Sequence, residues 1–507
     1  MFATGLVTVL TLFAFAVHGY HPYAEDGGLY MAGIKRVLDP GMYPQRAEFV
    51  LEHLRFSAFA PMVAAMVRGS GLSLEVVLLL LQFASFWTTL FAGWMLAARC
   101  YPRREIRVGA VALLAVWLTL PIAGTSLMLM DPYVTARSIS TPCSLLALVG
   151  ALAFLLPKES IPGARWRGLA LCGVSLTVAA LVHPLMAGYA LACVLSMGAA
   201  LPWNRKTRAL ASIGLCVAGV GTALAIQSMS LPENMAYLSV AMTRRYWFLS
   251  EWRWYEWIGV GAPLLILSWV ARTRRHEDND ARVVLARMAV VIGGTATVVA
   301  MLFARVGLTT HLVARLQPLR VFQLVYVVMI LAVGAELAER VLQRRAVRWI
   351  AVFGLLGTVM VLAERRTFPA SAHVELPTDF RWSAPRNAWV QAFLWIRQNT
   401  PKDALLALDA DYITRPGEDA QCFRAIAERS ALPDYSKDGG EASITPELTH
   451  AWVEGQTAQS GLSEATDAHR IAALRPLGVE WVVLERSAAT AFVCDYTNEA
   501  VKVCRLP

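Results

Sequence analysis

The sequence predicts an α-helical polytopic membrane protein with a small C-terminal α/β domain, on three observations. Hydrophobic residues make up 56% of the 507 and charged residues only 16%, where soluble globular chains carry about 25% charged. The shortfall is uneven: residues 1–365 hold long apolar stretches, while 366–507 read as ordinary soluble sequence. The net charge is +9, but most arginines flank apolar segments. The excess therefore reads as orientation in a membrane, and a nucleic-acid partner is not expected.

A bilayer crossing needs about 20 apolar residues. About eleven candidates follow on that criterion: 1–17, 74–98, 107–124, 141–156, 168–182, 185–201, 209–228, 257–271, 284–303, 319–338 and 347–363. Residues 1–17 have no basic n-region and no small-residue cleavage site after them, so they read as a first span and not a cleaved leader. The 168–201 pair is short enough to be re-entrant.

Orientation follows from the loops. Basic residues gather in alternate ones: Arg99, Arg103, Arg104 and Arg107; Lys158, Arg165 and Arg167; Arg205, Lys206 and Arg208; Arg272, Arg274, Arg275 and Arg282; Arg340, Arg344, Arg345 and Arg348. All these loops fall on one side, which the positive-inside rule makes cytoplasmic. The chain then belongs in a cytoplasmic (inner) membrane, with its N-terminus inside and its C-terminal domain extracytoplasmic.

Pro369, Pro377 and Pro385 mark 366–385 as a linker between a membrane domain, 1–365, and a soluble domain, 386–507. In the latter, 386–399 has a helical apolar face, 404–409 and 479–485 read as buried strands, and 446–456 and 466–475 as helices. The end reads as a hairpin around Thr497-Asn498. That register sets Cys504 opposite Ala491, against a disulfide between Cys494 and Cys504; Cys422 is the alternative partner, and the choice stays open. The eight cysteines form no CxxC pair. Five lie in or beside apolar segments, where cysteine acts as a small hydrophobe, so zinc binding is not expected.

Chemistry concentrates in the outer loops. The first, His18 to about Ser73, carries the adjacent acids Glu25 and Asp26 just beyond the first span, with His18, His21 and Gly27-Gly28 around them. Neighbouring residues do not share a helix face, so the two acids should have different roles. One could deprotonate a hydroxyl or help hold a divalent ion; the competing reading is a solvated acid capping a helix that begins near Leu29. Residues 47–67 form amphipathic stretches suited to the membrane surface. The second outer loop holds Asp131 and Arg137, the latter otherwise a snorkelling arginine. His183 precedes Pro184 between two spans and would ordinarily satisfy a helix end. The aromatic loop 229–256 suits the interface. Arg244, Arg245, Arg253, Arg315 and Arg320 lie outside, where few basic residues are expected, so each needs an anion. Guanidinium binds phosphate through a bidentate fork; lipid headgroups, Glu233, Glu251 or Glu256 are the competing partners.

The acidic pair following the first helix, the long outer loop and the outer soluble domain resemble the GT-C class of membrane glycosyltransferases. The resemblance implies a polyprenyl-phosphate or pyrophosphate sugar donor and a glycan, lipid or protein acceptor. It places Asp26 at the catalytic position as base, with Glu25 and Asp131 as metal or orienting ligands. His21 and His183 would support them, and Arg244, Arg245, Arg315, Arg320 and Arg137 would grip the donor phosphate. A divalent cation is left open. The soluble domain departs from the oligosaccharyltransferases of this class in lacking a WWDYG-type motif. Two other classes compete: a transporter or flippase of an envelope precursor, and a non-catalytic envelope protein. Transporters carry ionisable groups near the bilayer midplane, whereas these spans are nearly free of acids.

Overall fold

The computed structural model describes residues 1–157, 163–273, 280–377 and 385–507. Lys158, Arg274, Arg275 and the linker stretch 378–384 lie outside the described residues. Helices occupy every position read as a span: Phe2–His18, Leu74–Cys100, Arg104–Val116, Arg137–Leu155, Ala164–Val182, Pro184–Ala200, Arg205–Met229, Trp254–Thr273, Asp280–Phe303, Phe322–Leu337 and Ala346–Thr367. Among the described residues, 8 helical segments are long and apolar enough to cross a membrane. Phe2–His18 and Pro184–Ala200 are shorter apolar helices. The protein is thus a multi-pass helical membrane protein.

One predicted span is corrected. The helix expected over 107–124 stops at Val116. Proline at 121 has no N–H to donate and disfavours helix in the residue before it. The chain folds back instead, Pro121 bridging to Met128 and Leu129 N–H donating to Leu120 O at 3.1 Å.

Small residues let the helices approach closely, as lipid-embedded packing favours. A Cβ on Gly109 would lie 2.3 Å from the Ala338 Cβ, and one on Gly168 2.7 Å from the Ala153 Cβ. At one end of the bundle the loops of like charge meet. Arg103 pairs with Glu339, Arg344 with Glu105 at 3.1 Å, and Arg282 with Glu336 at 3.8 Å; the Arg104 guanidinium lies over the Phe2 ring.

The first long loop builds the other end. A helix runs over Glu25–Leu38 and starts at the acidic pair, four residues before Leu29. The amphipathic stretch becomes Glu48–Leu51, Glu52–Leu54 and Phe59–Ser70, with a 95° bend between the short helices and the last. Phe59, Val63 and Ala64 are buried against Leu74, Val77 and Leu78, while Leu51, Phe56 and Met66 stay exposed.

The C-terminal part places the helix Ala388–Asn399 on a sheet of β1 (Leu405–Ala407), β2 (Ser430–Ala431), β3 (Trp481–Glu485), β4 (Cys494–Thr497) and β5 (Val501–Arg505). Their order is β2-β1-β3-β5-β4. β1 pairs parallel with β2 and β3, and β3 and β4 pair antiparallel with β5. The hairpin register corrects the expectation. Thr497 faces Lys502, so the turn falls later than Thr497-Asn498, and an irregularity between Cys494 and Tyr496 sets Cys494 opposite Cys504. Those two form a disulfide, and Cys422 is free and buried.

Candidate active site

The Glu25–Leu38 helix is wedged between two surfaces, and its glycines explain how. A Cβ on Gly27 would fall 2.7 Å from the Tyr133 Cβ, and one on Gly28 2.2 Å from the Cys422 Cβ. The second outer loop thus touches one flank and the C-terminal domain the other. Backbone bonds complete the anchorage: Glu25 N–H donates to Ala420 O at 2.8 Å, and Cys422 N–H to Tyr23 O at 2.9 Å. Glu25 takes a left-handed backbone, φ 52°, a conformation that costs a non-glycine residue about 1–2 kcal/mol. Both acids sit in the first turn, where the exposed N–H groups favour negative charge.

Two cations meet the pair. Arg137 Nη2 donates to Asp26 Oδ2 at 3.0 Å, and its Nε and Nη2 to Asp131 Oδ2 at 3.1 and 2.9 Å. Lys437, from the helix Lys437–Ile444 of the C-terminal domain, donates to Asp26 Oδ1 at 3.2 Å and also to Glu25. Burial works to raise the Asp26 carboxyl, but the Lys437 and Arg137 charges prevail and hold it well below the usual carboxylate range. Asp131 goes the other way: burial, with the neighbouring Asp26 charge, raises it against the Arg137 and Arg320 charges. Asp26 keeps 34% of its side chain exposed against 5% for Asp131. Asp26 therefore faces the open space and Asp131 braces Arg137 from behind.

That open space is a cavity of about 870 Å³ at the end of the bundle opposite the arginine-rich loops. Its wall collects most of the residues singled out in the sequence: Glu25, Asp26, Asp131, Arg137, His183, Arg244, Arg315 and Arg320. Apolar groups such as Leu29, Phe56, Leu185 and Phe368 line the rest.

No family model and no curated protein matches the chain. Among solved structures it is similar to the archaeal oligosaccharyltransferase AglB from Archaeoglobus fulgidus, in complex with an inhibitory peptide and a dolichol-phosphate. The match has 10% sequence identity and a TM-score of 0.45, over 96% of this chain and 69% of that one.

The arginines expected at the phosphate divide by what they hold. Arg244 is engaged: its Nη1 and Nη2 donate to Ser436 O and Tyr435 O, both at 2.7 Å, and its Nε to Thr243 Oγ1 at 2.8 Å. It fastens the helix Lys437–Ile444. Arg315 donates to Ile444 O at 3.0 Å, at the other end of that helix. Arg245 is exposed and lies away from the cavity wall. Arg320 differs: its Nε is buried with no hydrogen-bond partner, and its guanidinium lies 6.0 Å from the Tyr246 ring.

His21 is also away from the cavity wall. It is fully buried, bonded to Glu364 at 2.9 Å and stacked on Phe368 at 4.0 Å. His183 sits between two helices, immediately before Pro184, and lines the cavity. Among the described residues, no group of three or more His, Cys, Asp or Glu could hold a metal ion.

Several wall residues were not singled out in the sequence, among them Glu52, His53, Lys437 and Glu441. Lys437 and Glu441 lie in KDGGEASI, which resembles any polar loop. His53 has both ring nitrogens buried without partners, a feature only tertiary structure creates.

Proposed function

We propose that this protein is a GT-C-like membrane glycosyltransferase, moving a sugar from a polyprenyl-phosphate donor to an acceptor hydroxyl at the outer face of the cytoplasmic membrane. One observation carries the reading: a single chamber at the bundle's end holds Asp26, bonded by Arg137 and Lys437, and, in the same wall, a guanidinium with an unsatisfied buried donor at Arg320. A sugar phosphate needs both. Cleaving its C1–O bond builds positive charge on the ring, which a nearby carboxylate stabilises, while negative charge grows on the departing phosphate. Asp26 would stabilise the ring and orient the acceptor, Arg137 and Lys437 would keep it ionised, and Arg320 would hold the phosphate. The apolar wall suits a lipid-linked ligand.

The wall is made from helix ends and loops, namely Arg137 at a helix start, His183 at a helix break and Thr367 at a helix end. A transporter would place such a site near the middle of its spans. In this reading 1–365 form the membrane domain, 366–385 the linker and 386–507 an extracytoplasmic domain, and the acceptor is a glycan, lipid or protein.

The test uses full-length protein in lipid nanodiscs, tritium-labelled undecaprenyl-phosphate mannose or glucose, and envelope extract as acceptor. Label should move to the extract. Asp26→Asn should lower that rate by about 10²–10³-fold, the usual loss when a preorganised electrostatic group is removed. Absence of transfer from both donors sinks the reading. Full transfer by Asp26→Asn moves the chemistry to another carboxylate.

A further inference from the structure

We propose that Glu441 is the group that takes the proton from the acceptor hydroxyl during this transfer. The assignment rests on the function proposed above and adds a residue from the C-terminal domain to it.

Asp26 is poorly suited to keep a proton. Two cations bond its carboxylate, and a base held so strongly in its ionised form returns a proton readily. Glu441 lacks that restraint. Its side chain belongs to the cavity wall and only 7% of the residue is exposed. Among the described residues, nothing donates a hydrogen bond to its carboxylate. The carboxylate lines the chamber, so a bound hydroxyl could reach it.

Helical spacing puts it there. Residues four apart share a face, so the face that presents Lys437 to Asp26 also presents Glu441 to the chamber. Gly440 and Ile444 line the cavity from that same face. Gly439 lets the helix dock closely, since a Cβ there would lie 2.6 Å from Arg244 Nη2.

The groups around Glu441 raise its proton affinity. Burial is the largest cause, followed by the negative charges of Asp438 on its own helix, Asp26 on Glu25–Leu38 and Glu52 on Glu48–Leu54; together they push it up to about 8. Lys437 on the same helix is drawn to Glu25 and Asp26. Arg244 and Arg315 reach the backbone at the helix ends. A base near the working pH is the most effective one.

The step balances. The acceptor oxygen bonds to the sugar C1, the C1–O bond to phosphate breaks with its electron pair leaving on polyprenyl phosphate, and the hydroxyl proton goes to a Glu441 Oε.

The experiment uses the full chain in nanodiscs with the donors and extract named above. Wild-type turnover should rise with pH through about 8 and level off, because only ionised Glu441 accepts the proton. Glu441→Gln should lower turnover by about 10²–10⁴-fold, the usual loss of a general base, with unchanged affinity for undecaprenyl phosphate. Glu441→Asp should keep part of the rate with a displaced pH midpoint. Exposed Glu447, in the short helix Pro446–Leu448 that follows, serves as control, and Glu447→Gln should match wild type. Undiminished turnover in Glu441→Gln overturns the assignment while leaving sugar transfer standing. So does a flat wild-type pH profile, a measurement that needs no variant to fold. Failure of wild type to transfer from either donor overturns both.

Discussion

Arg244 and Arg320 are the same residue type, lie in outer segments and line one cavity, yet their surroundings give them different work. Three hydrogen bonds commit Arg244 to Thr243 and to the Tyr435 and Ser436 carbonyls, while Arg320 keeps a buried donor unsatisfied. Removing one charge-assisted contact costs about 1.5–3 kcal/mol, so Arg320→Ala should weaken undecaprenyl phosphate binding by about ten- to a hundredfold. Arg320→Lys should recover part of it, keeping the charge but losing the fork. Arg244→Ala should leave binding nearly intact and lower the melting temperature. Titration in nanodiscs beside thermal unfolding separates the two, and unchanged affinity in Arg320→Ala would remove the phosphate site. The acids and arginines of this chamber were legible because charge beside a span needs a reason. Lys437 and Glu441 were not, since a polar stretch in a soluble domain carries no such signal.

The Glu25–Leu38 helix shows what one element must satisfy. Its acids have to enter the chamber while the next turn touches Tyr133 on one flank and Cys422 on the other. Only glycine meets both approaches. Gly28→Ala would set a methyl 2.2 Å from the Cys422 Cβ, and overpacking of this kind costs about 1–3 kcal/mol. Lower thermal stability and slower transfer should appear together, because displacing this helix parts Asp26 from Lys437. Gly221→Ala, with open space around it, is the control and should keep both. A Gly28→Ala protein as stable and active as wild type would show that the two flanks yield freely. Elsewhere, the span over 107–124 and the final hairpin were misplaced for local reasons. Hydropathy does not register the turn that Pro121 imposes, and in the hairpin a later turn and one irregular residue together moved the partner of Cys504 from Ala491 to Cys494.

For the molecule as a whole, the arginine-rich loops meet each other at one end and the C-terminal domain closes the chamber at the other. In the proposed reading, positive-inside bias puts the chamber outside. Single cysteines placed at Arg103, Arg205 and Arg345 in a cysteine-free variant should resist an impermeant thiol reagent in intact cells, while one at exposed Glu447 should react. Labelling at Arg345 with protection at Glu447 would invert the protein and take the proposed outer-face chemistry with it.

The class of architecture, the places of all but one of the apolar helices and the alternation of basic loops could be read from the sequence alone. These follow from local quantities, apolar run length and charge beside it, which a bilayer selects strongly. Tertiary structure alone decided which cations meet Asp26, which arginine keeps a free donor, and that a helix more than 400 residues downstream supplies Lys437 and Glu441 to the chamber. Those outcomes depend on how three segments distant in sequence pack around two glycines, and no periodicity in a single chain records such an approach.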